Sequence, residues 1–273
     1  MKILATDLDR TLLPNGSWEA DTNAIKLFND ITQKDDIVVV YVTGRNLELT
    51  ELAIKEYGVR YPNLLCGDVG TTIRRYENGT WHSDPGWVEH VRKKSPKWDA
   101  SKIRDLVAGI NGIVEQESEH QNQFKQSYYA DHEKKDLILG EINSIIKGKF
   151  DEVIVYSFDS QNGKGLIDFL PDSATKQTSL EYVANDFGVD KSEVVFCGDS
   201  GNDIFPLTAG FSGVLVKNAD EQLVQNVKDA MKDNPDLKAY FAKGDFKGLN
   251  GNYTSGVLEG AYYYGLLDEK LFT

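Results

Sequence analysis

Residues 37–44 read Ile-Val-Val-Val-Tyr-Val-Thr-Gly, with no polar break before Thr43. A strand with one wet face alternates apolar and polar residues. An unbroken β-branched run needs cover on both faces, the habit of a strand inside a parallel sheet. Residues 2–6 (KILAT) and 63–70 (NLLCGDVG) read as further strands. Residues 18–33 read as a helix with Ala24, Leu27, Phe28 and Ile31 on one face, and residues 46–56 as a second helix. Strands alternating with helices imply the α/β class: a doubly wound, Rossmann-like parallel sheet with right-handed crossovers.

After residue 78 the pattern changes. Asn78-Gly79 is a strong turn signal, and residues 74–81 (RRYENGTW) read as a hairpin. Helical patterns at 99–110 and 132–147 then mix with extended stretches at 112–118, 122–130, 150–158 and 165–171. That mixture suits a separate α+β module with an antiparallel sheet. Alternating order returns with a helix at 178–189, a strand in 192–200 and another at 213–216. The expected division is a core of residues 1–80 and 168–273, interrupted by an inserted α+β domain at 81–167. Val257, Leu258, Ala261 and a tyrosine at 262 or 264 have the spacing of a packed terminal helix.

The 273 residues carry 43 acidic against 30 basic side chains, a formal charge of −13. That balance argues against nucleic acid or an anionic membrane as partner. It leaves room for a small anionic substrate, because a metal ion and a few lysines reverse the potential locally. Cys66 and Cys197 stand far apart in apolar stretches, with no disulfide pattern, which fits a reducing cytoplasm. Asp7 interrupts the first apolar run too early for a signal peptide. No stretch reaches the ~18 apolar residues of a membrane span.

The first strand runs straight into Asp7 and Asp9, in DLDRT, and the strand before residue 199 does the same in GDSGND, with Asp199 and Asp203. In a parallel sheet the carboxyl ends of the strands line one crevice. Four carboxylates converging there require a cation, and oxygen-only ligation favours Mg²⁺ over Zn²⁺ or Ca²⁺. Taken singly, each aspartate is equally well a helix cap or a turn former; the two motifs together favour the metal. Thr43, with the backbone N–H groups of Gly44 and Arg45, is positioned to hold a phosphate at a helix N-terminus. Strand-Thr-Gly-helix junctions are common, however. Lys176, just before a helix, is more often solvated in such a place than catalytic.

DLDRT, the Thr of VTGRN, Lys176 and GDSGND, in that order, resemble the four motifs of the haloacid dehalogenase superfamily of phosphohydrolases. The insertion between the second and third resembles its C2B-type cap. DLDRTLLPNG, CGDVGTTI, FKQSYY, GDSGNDIFPL and GNYTSGVLEGAYYYG resemble the sucrose-phosphate phosphatase family within it. The resemblance implies a Mg²⁺-dependent hydrolase of a sugar phosphate, such as a sucrose-6-phosphate-like disaccharide phosphate. Asp7 would attack phosphorus to form an aspartyl-phosphate, and Asp9 would protonate the leaving oxygen and then activate water. Mg²⁺ would rest on the Asp7 carboxylate, the Asp9 backbone carbonyl and Asp199, with Asp203 close by. Thr43 and Lys176 would neutralise the phosphoryl oxygens. Asn46, Asp68 and Asn202 are expected to orient substrate or neighbouring groups. Two departures stand out: Arg10 fills a slot where the superfamily often has a small residue or Asn, and Gln177 follows Lys176 where Gly is frequent.

Residues 115–131 (EQESEHQNQFKQSYYAD) are dense in amides, charges and aromatics. Gln116, Gln123, Lys125 and Tyr128 are candidate sugar contacts, set against a plain reading as solvated loop and edge strand. Lys125 leads because FK-x-S-Y matches the family's cap strand. His120 and His132 read as surface residues. Two rival functions share these features. A sugar phosphomutase also needs Asp9 as acid/base, and a non-catalytic, receiver-like phosphosugar-binding module also sets an acidic pair, Thr and Lys around Mg²⁺.

Overall fold

The computed structural model describes residues 2–33, 37–159, 162–268 and 270. Its chain divides into two compact units, Met1–Asp84 with Lys176–Thr273, and Pro85–Thr175.

The first unit opens with β1 (Lys2–Thr6), α1 (Ala24–Thr32), β2 (Ile37–Val42), α2 (Leu47–Tyr57) and β3 (Leu64–Gly67). A hairpin follows, β4 (Thr72–Glu77) and β5 (Thr80–Ser83), with Asn78 and Gly79 both at positive φ in its turn. The second unit comprises α3 (Pro85–Lys94), α4 (Ala100–Val107), β6 (Ile113–Glu115), β7 (Gln126–Ala130), α5 (Lys135–Ile146), β8 (Glu152–Asp159) and β9 (Lys164–Pro171). The chain returns to the first unit with α6 (Lys176–Asp186), β10 (Val194–Gly198), α7 (Ile204–Thr208), β11 (Ser212–Leu215), α8 (Glu221–Asp233), β12 (Ala239–Phe241) and α9 (Thr254–Tyr263).

The first unit holds an eight-stranded sheet in the order β12-β11-β10-β1-β2-β3-β4-β5. Every pairing from β12 to β3 is parallel, and the hairpin adds two antiparallel strands at one edge. β2 is buried at all six positions, as its unbroken apolar run requires. On one face Leu4, Val39, Tyr41, Val195 and Val214 pack with Phe28 and Ile31 of α1, Ala53 and Ile54 of α2, and Val257, Leu258 and Ala261 of α9. On the other, α6 meets β3, and α7 meets β10 and β11. This is the doubly wound α/β core expected. α9 lies so close to β11 that a Cβ on Gly260 would come within 2.3 Å of Val214 Cγ1, so only glycine serves there.

The expected helix over 18–33 begins six residues late, at Ala24. Residues 18–21 are held in a loop instead. Trp18 N donates to Tyr253 Oη at 3.0 Å, and Asp21 Oδ2 accepts from Asn250 N and Ser255 Oγ at 2.7 and 2.6 Å. Partners more than 200 residues away override the local helical spacing.

The second unit holds a four-stranded antiparallel sheet, β6-β7-β9-β8. Ile103 and Val107 of α4 and Ile138, Ile142 and Ile146 of α5 cover one face, against Tyr128, Ala130, Ile167 and Phe169. The compact units part at 84/85 and 175/176 rather than at 80/81 and 167/168. The shift follows from pairing. β5 completes the large sheet through β4, and β9 runs on to Pro171 between β7 and β8. Helix α3 is absent from the sequence expectation, although Pro85 at its first position is a fair start signal.

Candidate active site

The three central strands, β10, β1 and β2, run parallel with Thr6 beside both Tyr41 and Cys197. Each therefore delivers its next residues to the same sheet edge: Asp199 from β10, Asp7 from β1 and Thr43 from β2. The backbone continues the pattern, with Asp7 N donating to Cys197 O at 2.9 Å and Thr43 N to Cys66 O at 2.9 Å.

Asp7, Asp199 and Asp203 are all buried and offer carboxylate oxygens within 4.8 Å of one another. Lys176, the first residue of α6, is 2% exposed and reaches this cluster. Its Nζ donates to Asp7 Oδ1 at 2.9 Å, Asp203 Oδ1 at 2.8 Å and Asn202 Oδ1 at 3.0 Å. Three ammonium donors thus meet three acceptors. Asp203 Oδ2 accepts from the backbone N–H groups of Asp199 and Ser200 at 3.1 and 3.2 Å. A Cβ at Gly198 would lie 2.6 Å from Asp203 Cβ, so glycine at that position lets the turn fold back on its strand. Asp199 Oδ1 accepts from Thr11 Oγ1 at 2.9 Å. Its Oδ2, fully buried, accepts no hydrogen bond.

The electrostatics record the crowding. Burial first, then the Asp203 and Asp9 charges, push the Asp7 carboxyl up to about 7 against the pull of Lys176. Burial, with Asp203 and Asp7, also raises Asp199 well above its ordinary value. Burial opposes the Lys176 charge, yet Asp203 and Asp7 outweigh it and hold the ammonium above its ordinary value. Asp7, Asp9, Asp199, Asp203 and Asp220 face Lys176, Arg10 and Arg45. With every carboxylate ionised, that set carries two more negative than positive charges, the complement of one divalent cation. Hard oxygen donors, an orphaned buried carboxylate oxygen and this charge deficit fit Mg²⁺.

Asp9 stands apart from the acidic cluster. Arg45 Nη2 and Nε donate to its Oδ1 and Oδ2 at 2.6 and 2.8 Å, and Asn15 Nδ2 donates to Oδ1 at 2.6 Å. Its carboxylate is therefore a partner of Arg45, not a member of the buried triad. Thr43 Oγ1 accepts from Arg45 N at 3.2 Å and keeps its own hydroxyl proton to donate. Among the remaining expected residues, Asn46 caps α2, its Oδ1 accepting from Leu49 N at 2.9 Å. Asp68 lies in a tight turn at φ 53°, where its Oδ2 accepts from Thr72 Oγ1 at 3.0 Å. Asn202 belongs with Lys176.

In the second unit, Lys125 Nζ lies 4.0 Å from Asp168 Oδ1, which also accepts from Ser127 Oγ. Gln116 spends its amide on the Tyr128 carbonyl at 3.2 Å, and Gln123 Oε1 accepts from Arg92 at 2.9 Å. Tyr128, expected as a sugar contact, is buried. The β7 alternation turns it to the helix-covered face, edge-on to Phe169, inside the core. Sequence reasoning also missed Asn15, which bonds Asp9 and Arg10 within its own loop, and Asn218 and Asp220, loop residues whose partner Arg10 lies more than 200 positions away. Among the described residues no helix is long and apolar enough to cross a membrane.

The family model for sucrose-6F-phosphate phosphohydrolase matches residues 1–265. A putative HAD-like hydrolase of Nitrosococcus oceani is 35% identical over 264 residues, covering 96% of this chain and 71% of that protein. Mannosylfructose-phosphate phosphatase of Agrobacterium fabrum is 28% identical, covering 97% and 98%. The crystal structure of a Synechocystis sucrose-phosphatase, in complex with sucrose and phosphate, superposes with a TM-score of 0.78 at 22% identity, covering 97% and 98%.

Proposed function

The chain belongs to the sucrose-6F-phosphate phosphohydrolase family of haloacid dehalogenase-type phosphatases, and from that premise we propose that it hydrolyses a sugar phosphate through Asp7, with Mg²⁺ as cofactor. The observation that carries this reading is the meeting of Asp7, Asp199, Asp203 and Lys176 around one buried carboxylate cluster.

Asp7 is the nucleophile of this proposal. Lys176 holds one of its oxygens, fixing the carboxylate while the other stays available for in-line attack on phosphorus. Asp9 is the proton carrier, giving a proton to the leaving sugar oxygen and later taking one from the attacking water. Thr43 and Lys176 meet the developing charge on the phosphoryl oxygens. Asp7 and Asp199 would hold the cation, with Asp203 beside them. When bound, it supplies charge neutralisation that lets phosphate approach the acidic cluster. Lys125, backed by Asp168, is the leading candidate for reading sugar hydroxyls, and Gln116 supports the strand that carries Tyr128.

The test is phosphate release from a panel that includes sucrose 6-phosphate, mannosylfructose phosphate and hexose phosphates, each with Mg²⁺ and with chelator. Release from one or more of the disaccharide phosphates, abolished by chelator, is the expected result. Isomerised product without free phosphate, or no turnover of any sugar phosphate, would overturn the proposal.

A further inference from the structure

Arg10 sits where the motif calls for a small or neutral side chain, and the fold goes to some length to keep it there. Its φ of 59° is left-handed, a conformation that costs a non-glycine residue about 1 kcal/mol. Both backbone groups are claimed by side chains: Arg10 N donates to Asn15 Oδ1 of the same loop at 2.7 Å, and the remote Asn218 Nδ2 donates to Arg10 O at 2.7 Å. The guanidinium lies over the Trp18 ring at 5.5 Å.

The guanidinium's placement between two carboxylates is the informative part. Its Nη2 donates to Asp220 Oδ1 at 2.5 Å and stands 3.2 Å from Asp199 Oδ2 without hydrogen-bond geometry. Nε is buried with no partner. A fork turned squarely onto Asp199 would use both nitrogens and both oxygens. Here it is turned toward the half-exposed Asp220 and leaves the buried Asp199 oxygen unbonded.

We propose that Arg10 is an internal counter-ion that competes with the divalent cation for Asp199, and that Asp220 draws the guanidinium aside so that the cation can win. Arg10 is thus a positioning residue that sets metal affinity through Asp199. Like charges a few ångströms apart in a partly buried site repel appreciably, so a guanidinium beside a cation ligand weakens cation binding. The inference rests on the Mg²⁺ reading of the proposed function.

A residue that merely props up the site predicts that every variant weakens Mg²⁺ binding. Competition predicts opposite signs, read by calorimetric titration of Mg²⁺ into substrate-free, chelator-treated protein. Arg10→Asn should tighten Mg²⁺ about tenfold, and Arg10→Lys, which keeps the charge, should stay near wild type. Asp220→Asn should weaken it about fivefold, and by roughly twofold or less once Arg10 is already Asn. Arg10→Asn should also lower the melting temperature in chelator, with the gap closing at saturating Mg²⁺. Unchanged or weakened binding in a folded Arg10→Asn protein would overturn the inference. If that variant fails to fold, unchanged or tighter binding by Asp220→Asn does the same. Asp199→Asn runs alongside. If it binds Mg²⁺ as well as wild type, or wild type binds none, the metal reading falls and takes the inference with it. If Asp199→Asn abolishes binding while Arg10→Asn does not tighten it, the inference falls alone.

Discussion

Arg45 holds Asp9 at both carboxylate oxygens, Nη2 to Oδ1 at 2.6 Å and Nε to Oδ2 at 2.8 Å. The fork joins the end of β2 to the turn after β1, so the proposed proton carrier is fixed by a residue from the neighbouring strand. To give or take a proton, Asp9 must loosen one of these bonds. The pair then acts as a unit. Asp9→Asn should cut phosphate release by about a hundredfold to ten-thousandfold, and Arg45→Leu by about tenfold. In the double variant the losses should fall well short of additive, as steady-state kinetics on the three proteins will show. Full additivity would separate Arg45 from Asp9.

Asp7 makes stability depend on pH in an unusual direction. Its carboxyl, pushed from 3.8 up to about 7 by burial and by Asp203 and Asp9, binds a proton in the native state that the unfolded chain has already lost. The native state therefore binds more protons between these values, so stability falls as pH rises from 4 toward 7. In chelator the melting temperature should drop across that window, by an amount on the order of 2–4 kcal/mol in free energy for this group. Asp7→Asn should make the drop smaller, leaving the part that the raised Asp199 carboxyl contributes, and saturating Mg²⁺ should cancel it. A melting temperature that rises with pH in both proteins alike would contradict the assignment.

Tyr128 carries a buried hydroxyl with no hydrogen-bond partner, edge-on to Phe169 in the core of the second unit. Removing an unsatisfied buried hydroxyl while keeping the ring is neutral or stabilising. Tyr128→Phe should keep or raise the melting temperature and leave KM for the sugar phosphate unchanged. Tyr128→Ala should cost about 3–5 kcal/mol by denaturant titration. A selective rise of KM in Tyr128→Phe would restore it as a sugar contact.

The core of this site was legible because strand ends and carboxylates coincide in the sequence. The run at 37–42, DLDRT and GDSGND each place an apolar strand directly before a polar residue, and parallel pairing brings those ends together. Lys176 was legible as part of a motif but not as a buried group, since nothing local says that Asp7 and Asp203 surround it. The burial of Tyr128 was not legible because FKQSYY does not tell which face of β7 the helices will cover. Residues 18–23 were misread because their fate is decided by Tyr253, Asn250 and Ser255. Arg10 became intelligible only with Asp220, 210 positions further on. Local pattern speaks for elements, and remote hydrogen bonds decide loops.

Glu259 illustrates the same limit in the stability of the fold. Buried in α9, it accepts from Tyr240 Oη at 2.7 Å, Lys243 N at 2.8 Å and Gly244 N at 3.0 Å. These bonds tie the last helix to β12 and the loop beyond it. Glu259→Ala strands three donors and should cost about 2–4 kcal/mol in urea unfolding, with KM little changed. A loss of under about 0.5 kcal/mol would show that water replaces the carboxylate without penalty.

In the proposed reaction Asp7 itself takes the phosphoryl group. The direct measurement is the mass of the protein, and of its Asp7 peptide, after rapid acid quench during turnover of the best sugar phosphate with Mg²⁺. One phosphoryl group is expected on Asp7, enriched in Asp9→Asn if dephosphorylation is slowed more than attack, and absent from Asp7→Asn along with phosphate release. Wild-type rates from Asp7→Asn, or a phosphoryl group on another residue, would contradict it.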